Sequence, residues 1–275
     1  MAAGSAREDG DGSGLSQSLE RGLAILSCFS ERRPLLGISD VSRAVGLNKS
    51  TAHRYVATLA SLGYLQQDAA TRKYRLGLRV IDLGFAAVNS MEISKVAGPF
   101  LQALSEETGH TASMAVLDGT DILYVARVRS VRENRYGIDL NLHVGSRLPA
   151  YCTSMGKVLL AHQPPDRLTR IIDRTDLTRR GPNTLTAREA LVAALAQVRH
   201  TGLAVNDEEL AAGLRSLAVP VRDGFGEVVA AVNLAIHMSI WGASTDAVVR
   251  KYTQPLKRAA EEISRRLGYA AAPSA

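Results

Sequence analysis

The chain has only two cysteines, Cys28 and Cys152, too few for a disulfide scaffold or a four-cysteine metal site. Its six histidines are scattered, and neither H-x-x-x-H nor C-x-x-C spacing occurs to hold zinc. No apolar run approaches the roughly 20 residues needed to span a bilayer. The opening residues, MAAGSAREDGDGSG, are acidic, polar and glycine-rich, the reverse of a signal peptide's basic end and apolar stretch. Residues 1–15 are expected to form a disordered tail, and the protein is expected to be cytoplasmic and free of membrane. Two catalytic patterns also fail. Gly156-Lys157 is followed by Val158 and lacks the upstream glycine of a phosphate loop. Ser154-Met155-Gly156-Lys157 matches S-x-x-K, yet the S-D-N and K-T-G partners of serine β-lactamases are missing. No cofactor, metal or catalytic residue is expected.

What is present is a globular composition, 46% hydrophobic and 22% charged, with charge placed unevenly. The formal net charge is +6. Residues 1–16 hold one basic and three acidic residues, and residues 17–80 hold ten basic and four acidic. The remaining 195 residues are close to balanced, with 22 basic and 20 acidic. A small basic module beside a larger, near-neutral one is the footprint of a nucleic-acid binder with a second function.

The basic module reads as three helices and a wing. In SLERGLAILSCF, Leu19, Leu23, Leu26 and Phe29 share one helical stripe, and Pro34 ends the segment. In ISDVSRAVG, Ser39 suits an N-cap, Val41 and Val45 point inward, and Gly46 suits a left-handed C-terminal position. In NKSTAHRYVATLASLG, Asn48 is the cap, and Ala52, Tyr55, Val56, Leu59 and Leu62 form the buried stripe. The short, glycine-containing connection is that of a helix-turn-helix. A rotation of about 100° per residue puts Ser50, His53, Arg54, Ala57 and Ser61 opposite that stripe, flanked by Lys49 and Thr51. Short hydrogen-bonding side chains and cations suit a major groove. YLQQDAATRKYRLG then reads as two short strands whose tip carries Arg72 and Lys73, cations for phosphate or a minor groove. The expected DNA contacts are Ser39, Lys49, Ser50, Thr51, His53, Arg54, Arg72 and Lys73.

These segments, with TSMGKVLLA, NDEELAAGLRSLAVPVRD and GEVVAAVNLAIH further on, resemble the IclR family of bacterial transcriptional regulators from about Ser16 to Gly268. The resemblance implies an α+β protein: an N-terminal winged helix-turn-helix (16–77), a linker helix (78–91) and a C-terminal GAF-like effector-binding domain (92–270). It implies a homodimer or a dimer of dimers, a double-stranded DNA operator and a small-molecule effector. The linker segment carries an apolar stripe of Leu78, Ile81, Phe85 and Val88, compatible with packing in a dimer.

In the second module a helix is expected over 94–108. Two strands flank the turn signal Asp118-Gly119, and a less regular stretch precedes a helix starting near Thr153 or Ser154. Further helices are expected at 166–173 and 186–200, the latter with Thr186 as cap and Glu189 completing a capping box. Two strands around GFG and a final helix through Val248, Tyr252, Leu256 and Ile263 complete the α+β pattern.

Three separate stretches offer a pocket. Ser154-Met155-Gly156 opens a helix whose free N–H groups suit a carboxylate. Asn206 and Asp207 begin the second stretch, with Ser216 after them. Asn233, Ala235 and His237 share one strand face by period two. The resemblance places family effector contacts at Leu148, Ser154, Met155, Asn206, Ser216, Asn233 and Ala235. It looks most like the branch controlling aromatic-acid catabolism, whose regulators respond to protocatechuate, 4-hydroxybenzoate or β-ketoadipate. Ala235 departs from members with a serine there, which removes one effector hydrogen bond. Two other readings stay open on the residues alone: an enzyme acting on a small acid through Cys152, Ser154 or His237, and a non-specific nucleic-acid-binding protein.

Overall fold

The computed structural model describes residues 16–30, 33–90, 92–130, 142–237 and 244–270. The expected tail and most of the irregular stretch after Ser130 lie outside the described residues. The chain divides into two compact units, residues 1–88 and 89–275.

In the first unit α1 (Gln17–Ser27) starts on Ser16, whose hydroxyl accepts the Leu19 N–H. Helices α2 (Ile38–Val45) and α3 (Lys49–Ser61) are joined through Gly46, whose φ of 66° supplies the left-handed turn. Asn48 Oδ1 accepts the Thr51 N–H at 2.8 Å and caps α3 as expected. The α2 cap differs from the expectation. The helix begins one residue before Ser39, at Ile38, with Gly37 as cap and its N–H bonded to Asp40 Oδ2 at 3.0 Å. The carboxylate reaching back makes a serine cap unnecessary.

The expected face of α1 is met in part: Leu26 and Phe29 pack inward, but Leu19 and Leu23 do not, and Ile25 takes their place. Leu19 and Leu23 are 64% and 56% exposed, whereas Ile25 and Phe29 enter the core with Val41, Ala52, Val56, Leu65 and Tyr74. Leu62, expected inside, lies exposed at the end of α3. The wing strands β1 (Leu65–Gln67) and β2 (Tyr74–Leu76) pair antiparallel, with Leu65 opposite Leu76. Gly77 closes the wing's base by donating to Tyr64 O, and a Cβ there would stand 2.1 Å from Gly63 O. Helix α4 (Arg79–Ser90) follows; Leu78 before it and Ile81 within it are 79% and 51% exposed. The side chains of Phe85 and Val88 lie outside the description.

The second unit is built on an antiparallel sheet in the order β5-β4-β3-β8-β7-β6 among the described residues. Its strands are β3 (Thr111–Asp118), β4 (Asp121–Val128), β5 (Arg147–Pro149), β6 (Ala204–Asp207), β7 (Leu214–Arg222) and β8 (Val228–His237). The Asp118-Gly119 signal does turn the chain, with Asp118 opposite Asp121 and Gly119 at φ 65°. Helices α5 (Glu92–Thr108) and α9 (Thr245–Arg266) cover one face over Leu101, Leu104, Leu217, Val232, Leu234, Tyr252 and Leu256. The other face carries α6 (Ser154–Ala161), α7 (Pro165–Asp173) and α8 (Arg188–Thr201). Here the sheet offers the small side chains Ala115, Ala204, Ala218 and Ala231, which let α6 lie close.

Helix α8 starts two residues later than expected. Its cap is Ala187, with no side-chain hydrogen bond, so the Thr186–Glu189 capping box does not form. Strand β6, at the head of the NDEEL segment, was not expected as a strand. The architecture otherwise agrees with the expected α+β class.

Candidate functional site

The two units carry separate candidate sites. In the first, Lys49, Ser50, His53, Arg54, Ala57, Thr58 and Ser61 are exposed on α3, while Ala52 and Val56 anchor its other side. Ser50 Oγ donates to Asn48 Oδ1 at 2.9 Å, so the polar N-terminal end of the helix is ordered. Ser39 is exposed on α2.

The wing tip is ordered by Asp68. Its Oδ1 accepts from the Thr71 amide at 2.8 Å and the Thr71 hydroxyl at 2.7 Å, and these bonds hold its carboxyl below the usual carboxylate range. Asp68 N–H donates to Lys73 O, and Arg72 N–H to Asp68 O. Arg72 sits at φ 58°, a left-handed conformation rare for a side-chain-bearing residue. The turn thus presents Arg72 and Lys73 from a fixed backbone. Among the described residues no ion pair engages Lys49, Arg54, Arg72 or Lys73.

In the second unit the strand register assembles a polar patch on the α6 face. Asn206, Ser216 and Ala235 stand directly opposite one another across β6, β7 and β8. The next row on the same face runs Ala204, Ala218, Asn233, Ser113 and Arg127 across five strands. Ser154, the first residue of α6, hydrogen-bonds Ser216 through their hydroxyls at 2.7 Å, tying the helix end to this patch. Arg127 Nη1 donates to Ser113 Oγ at 3.2 Å. Buried Tyr124 lies near enough to feel the Arg127 charge; burial pushes its phenol up to about 12, with the guanidinium opposing. Asn233 is buried, and its Oδ1 has no hydrogen-bond partner among the described residues.

The other expected pocket residues divide. Met155 is buried beside Ser154, and Leu148 lies on β5, packed against the α6-side core. Gly156 fits against Ala150, where a Cβ would stand 2.1 Å from its carbonyl oxygen. Its N–H is not free as expected, because Thr153 Oγ1 accepts it at 3.1 Å. Asn206 is structural: its Nδ2 donates to Cys152 O and its Oδ1 accepts from Glu209 N–H at 3.2 Å. Asp207 is not brought to the patch. One residue out of phase, it turns to the opposite face and binds Arg215 Nε and the Thr245 hydroxyl. Burial pushes its carboxyl up, but those bonds outweigh it and hold the group low. Ala235 is half-buried, and His237 lies on β8 with its side chain outside the description.

Sequence reasoning missed Arg127, Ser113 and the pair Lys157–Glu209. Lys157 is buried on α6, donating to Val205 O at 2.6 Å and to Glu209 Oε1. Burial pushes the Glu209 carboxyl above its usual range even against the Lys157 charge. The available signals were an arginine within the strand DILYVARV and a lysine within the apolar helix SMGKVLLA.

Residues 18–69 match the model of the IclR helix-turn-helix domain, and residues 85–265 that of the bacterial transcriptional regulator IclR C-terminal domain. The chain belongs to the IclR family. It is 42% identical over 221 residues to the Pca regulon regulatory protein of Pseudomonas putida, covering 80% of this chain and 74% of that protein. It is 36% identical over 255 residues to the HTH-type transcriptional regulator XynR of Escherichia coli K12, covering 93% and 98%. An IclR homolog from Microbacterium hydrocarbonoxydans, crystallised with 4-hydroxybenzoate, superposes with a TM-score of 0.77 at 27% identity, covering 91% and 99%.

This IclR regulator is a DNA-binding transcription factor and not an enzyme. Cys152 agrees with that: burial pushes its thiol up to about 11, so it is not a thiolate nucleophile at neutral pH. No helix among the described residues is long and apolar enough to cross a membrane.

Proposed function

We propose that α3 enters the major groove of an operator, with Ser50, Thr51, His53 and Arg54 toward the bases. Lys49, Ser39 and the wing's Arg72 and Lys73 hold the flanking backbone. The unpaired cations on α3 and the wing support this reading. Arg54→Ala is expected to weaken binding to the protein's own promoter region at fixed salt, while the far-ultraviolet spectrum stays unchanged. Equal gel-shift affinity for the promoter and for unrelated DNA of the same length would instead favour non-specific binding.

The effector we propose is a hydroxylated aromatic acid of the 4-hydroxybenzoate or protocatechuate class. The observation that carries it is the buried Asn233 Oδ1, an acceptor in need of a donor. At neutral pH an aliphatic keto diacid such as β-ketoadipate brings only acceptors, whereas a ring hydroxyl donates. The row holding Asn233 also carries the cation Arg127 and adjoins the N-terminal end of α6, both suited to the carboxylate. The Microbacterium homolog, crystallised with 4-hydroxybenzoate, points the same way. In a thermal-shift series 4-hydroxybenzoate should stabilise the protein more than benzoate, and Asn233→Leu should erase that difference. Equal stabilisation by the two acids in the unaltered protein refutes the role given to the hydroxyl.

Two copies of the chain are proposed to act together. Leu19, Leu23, Leu78 and Ile81 are apolar and uncovered in a single copy, and paired half-sites call for a symmetric partner.

A further inference from the structure

We propose a second anion site at the sheet edge, where Arg222 and Lys257 bind a compact organic carboxylate or phosphate away from the effector patch. Strand β6 begins only at Ala204, opposite Ala218, so β7 from Val219 to Arg222 runs on past it. A cavity of about 360 Å³ lies along that stretch, between the end of α8 at Thr201 and Gly202 and the last turns of α9. That volume is within the range of small-molecule pockets. Its walls carry three cations, Arg222, Lys257 and Arg265, against one carboxylate, Glu261. Arg265 is already paired with Glu262 on its own helix.

Arg222 and Lys257 are both half-buried, and neither has a carboxylate partner among the described residues. Cations withdrawn from water without a counter-charge are costly, and an anion relieves that cost. Arg222 is also held in place. Its backbone N–H donates to the buried Ser264 hydroxyl at 3.0 Å and its Nη1 to Gly226 O at 2.8 Å, leaving its other guanidinium N–H groups for a ligand. Val219, Pro220, Ala260 and Tyr269 add an apolar wall, so the site suits an anionic head on a short carbon body.

The positive field reaches the effector helix. His162 caps the C-terminal end of α6, and burial depresses its imidazole, with Arg222 and Arg199 adding to the effect against the hydrogen bond to Val158 O. An anion beside Arg222 would offset part of that charge at one end of α6, while Ser154 at its other end touches the polar patch.

The test is calorimetric titration of the full-length protein in chloride buffer with succinate and with glycerol 3-phosphate, two non-aromatic probes that separate carboxylate from phosphate chemistry. At least one should bind one per chain, and saturating 4-hydroxybenzoate should not displace it. Lys257→Gln, which breaks no hydrogen bond or ion pair among the described residues, should weaken binding about tenfold, and Arg222→Gln as much or more. Asn233→Leu should leave it unchanged. Undiminished binding in Lys257→Gln, loss in Asn233→Leu, or no heat with either probe in the unaltered protein overturns the proposal. Failure of 4-hydroxybenzoate to bind while succinate still does bears on the effector alone.

Discussion

Lys157 and Glu209 meet under the N-terminal half of the unit's most buried helix, 52 residues apart in sequence. Removing one partner of a buried pair strands the other charge in a poorly polarisable interior. Lys157→Ala is expected to lower the unfolding free energy by about 3–5 kcal/mol, read from urea denaturation. The double change Lys157→Met with Glu209→Leu should restore most of it; a single variant as stable as the parent would show that the pair carries nothing. A lysine within SMGKVLLA was legible as an oddity, but its partner was not. Pairing depends on the turn after β6, where Glu208 adopts φ 57° and the Thr184 hydroxyl donates to Glu209 O. Asn233 was legible for the same reason, a polar side chain on an apolar strand, and its register neighbours Ser113 and Arg127 were not.

At the scale of elements, local signals carried furthest. Asn48 capping α3, Gly46 turning between helices and Gly119 in its hairpin are each decided within a few residues, and each behaves as its chemistry dictates. The faces of elements were less legible. Either Leu19 and Leu23 or Ile25 could have joined Leu26 and Phe29 toward the core of the first unit, and the choice was made by packing against α2 and α3. Strand β6 escaped because four residues with two polar members carry no clear alternation. The wing gives a clean separation of structure from contact. Arg72→Gly relieves a left-handed backbone while deleting a cation. Stability should hold or rise by up to about 1 kcal/mol, whereas the slope of promoter affinity against salt concentration should fall by about one. Unchanged salt dependence would remove Arg72 from the phosphate contacts.

At the scale of the whole molecule, the proposed dimer would cover the exposed leucines of α1 and the α4 segment. Replacing Leu78 and Ile81 with serine should shift the sedimenting species from dimer toward monomer and weaken paired half-site binding more than binding to a single half-site. A dimer of undiminished mass would move the interface elsewhere. The split of the charge between a basic small unit and a near-balanced large one was legible from the start, because it needs only counting. The sheet of the second unit has a further consequence, for the order in which the protein is made. Its ladder between β3 and β8 joins Ala112 to Leu234, strands separated by most of the unit. The core of the first unit, by contrast, closes once Tyr74 is available. On the ribosome the reader of DNA is therefore complete while its sensor still lacks a central strand. A chain cut short in between would be a DNA-binding fragment with no effector response, and its half-built sheet, open along β3, would mark it for aggregation or proteolysis.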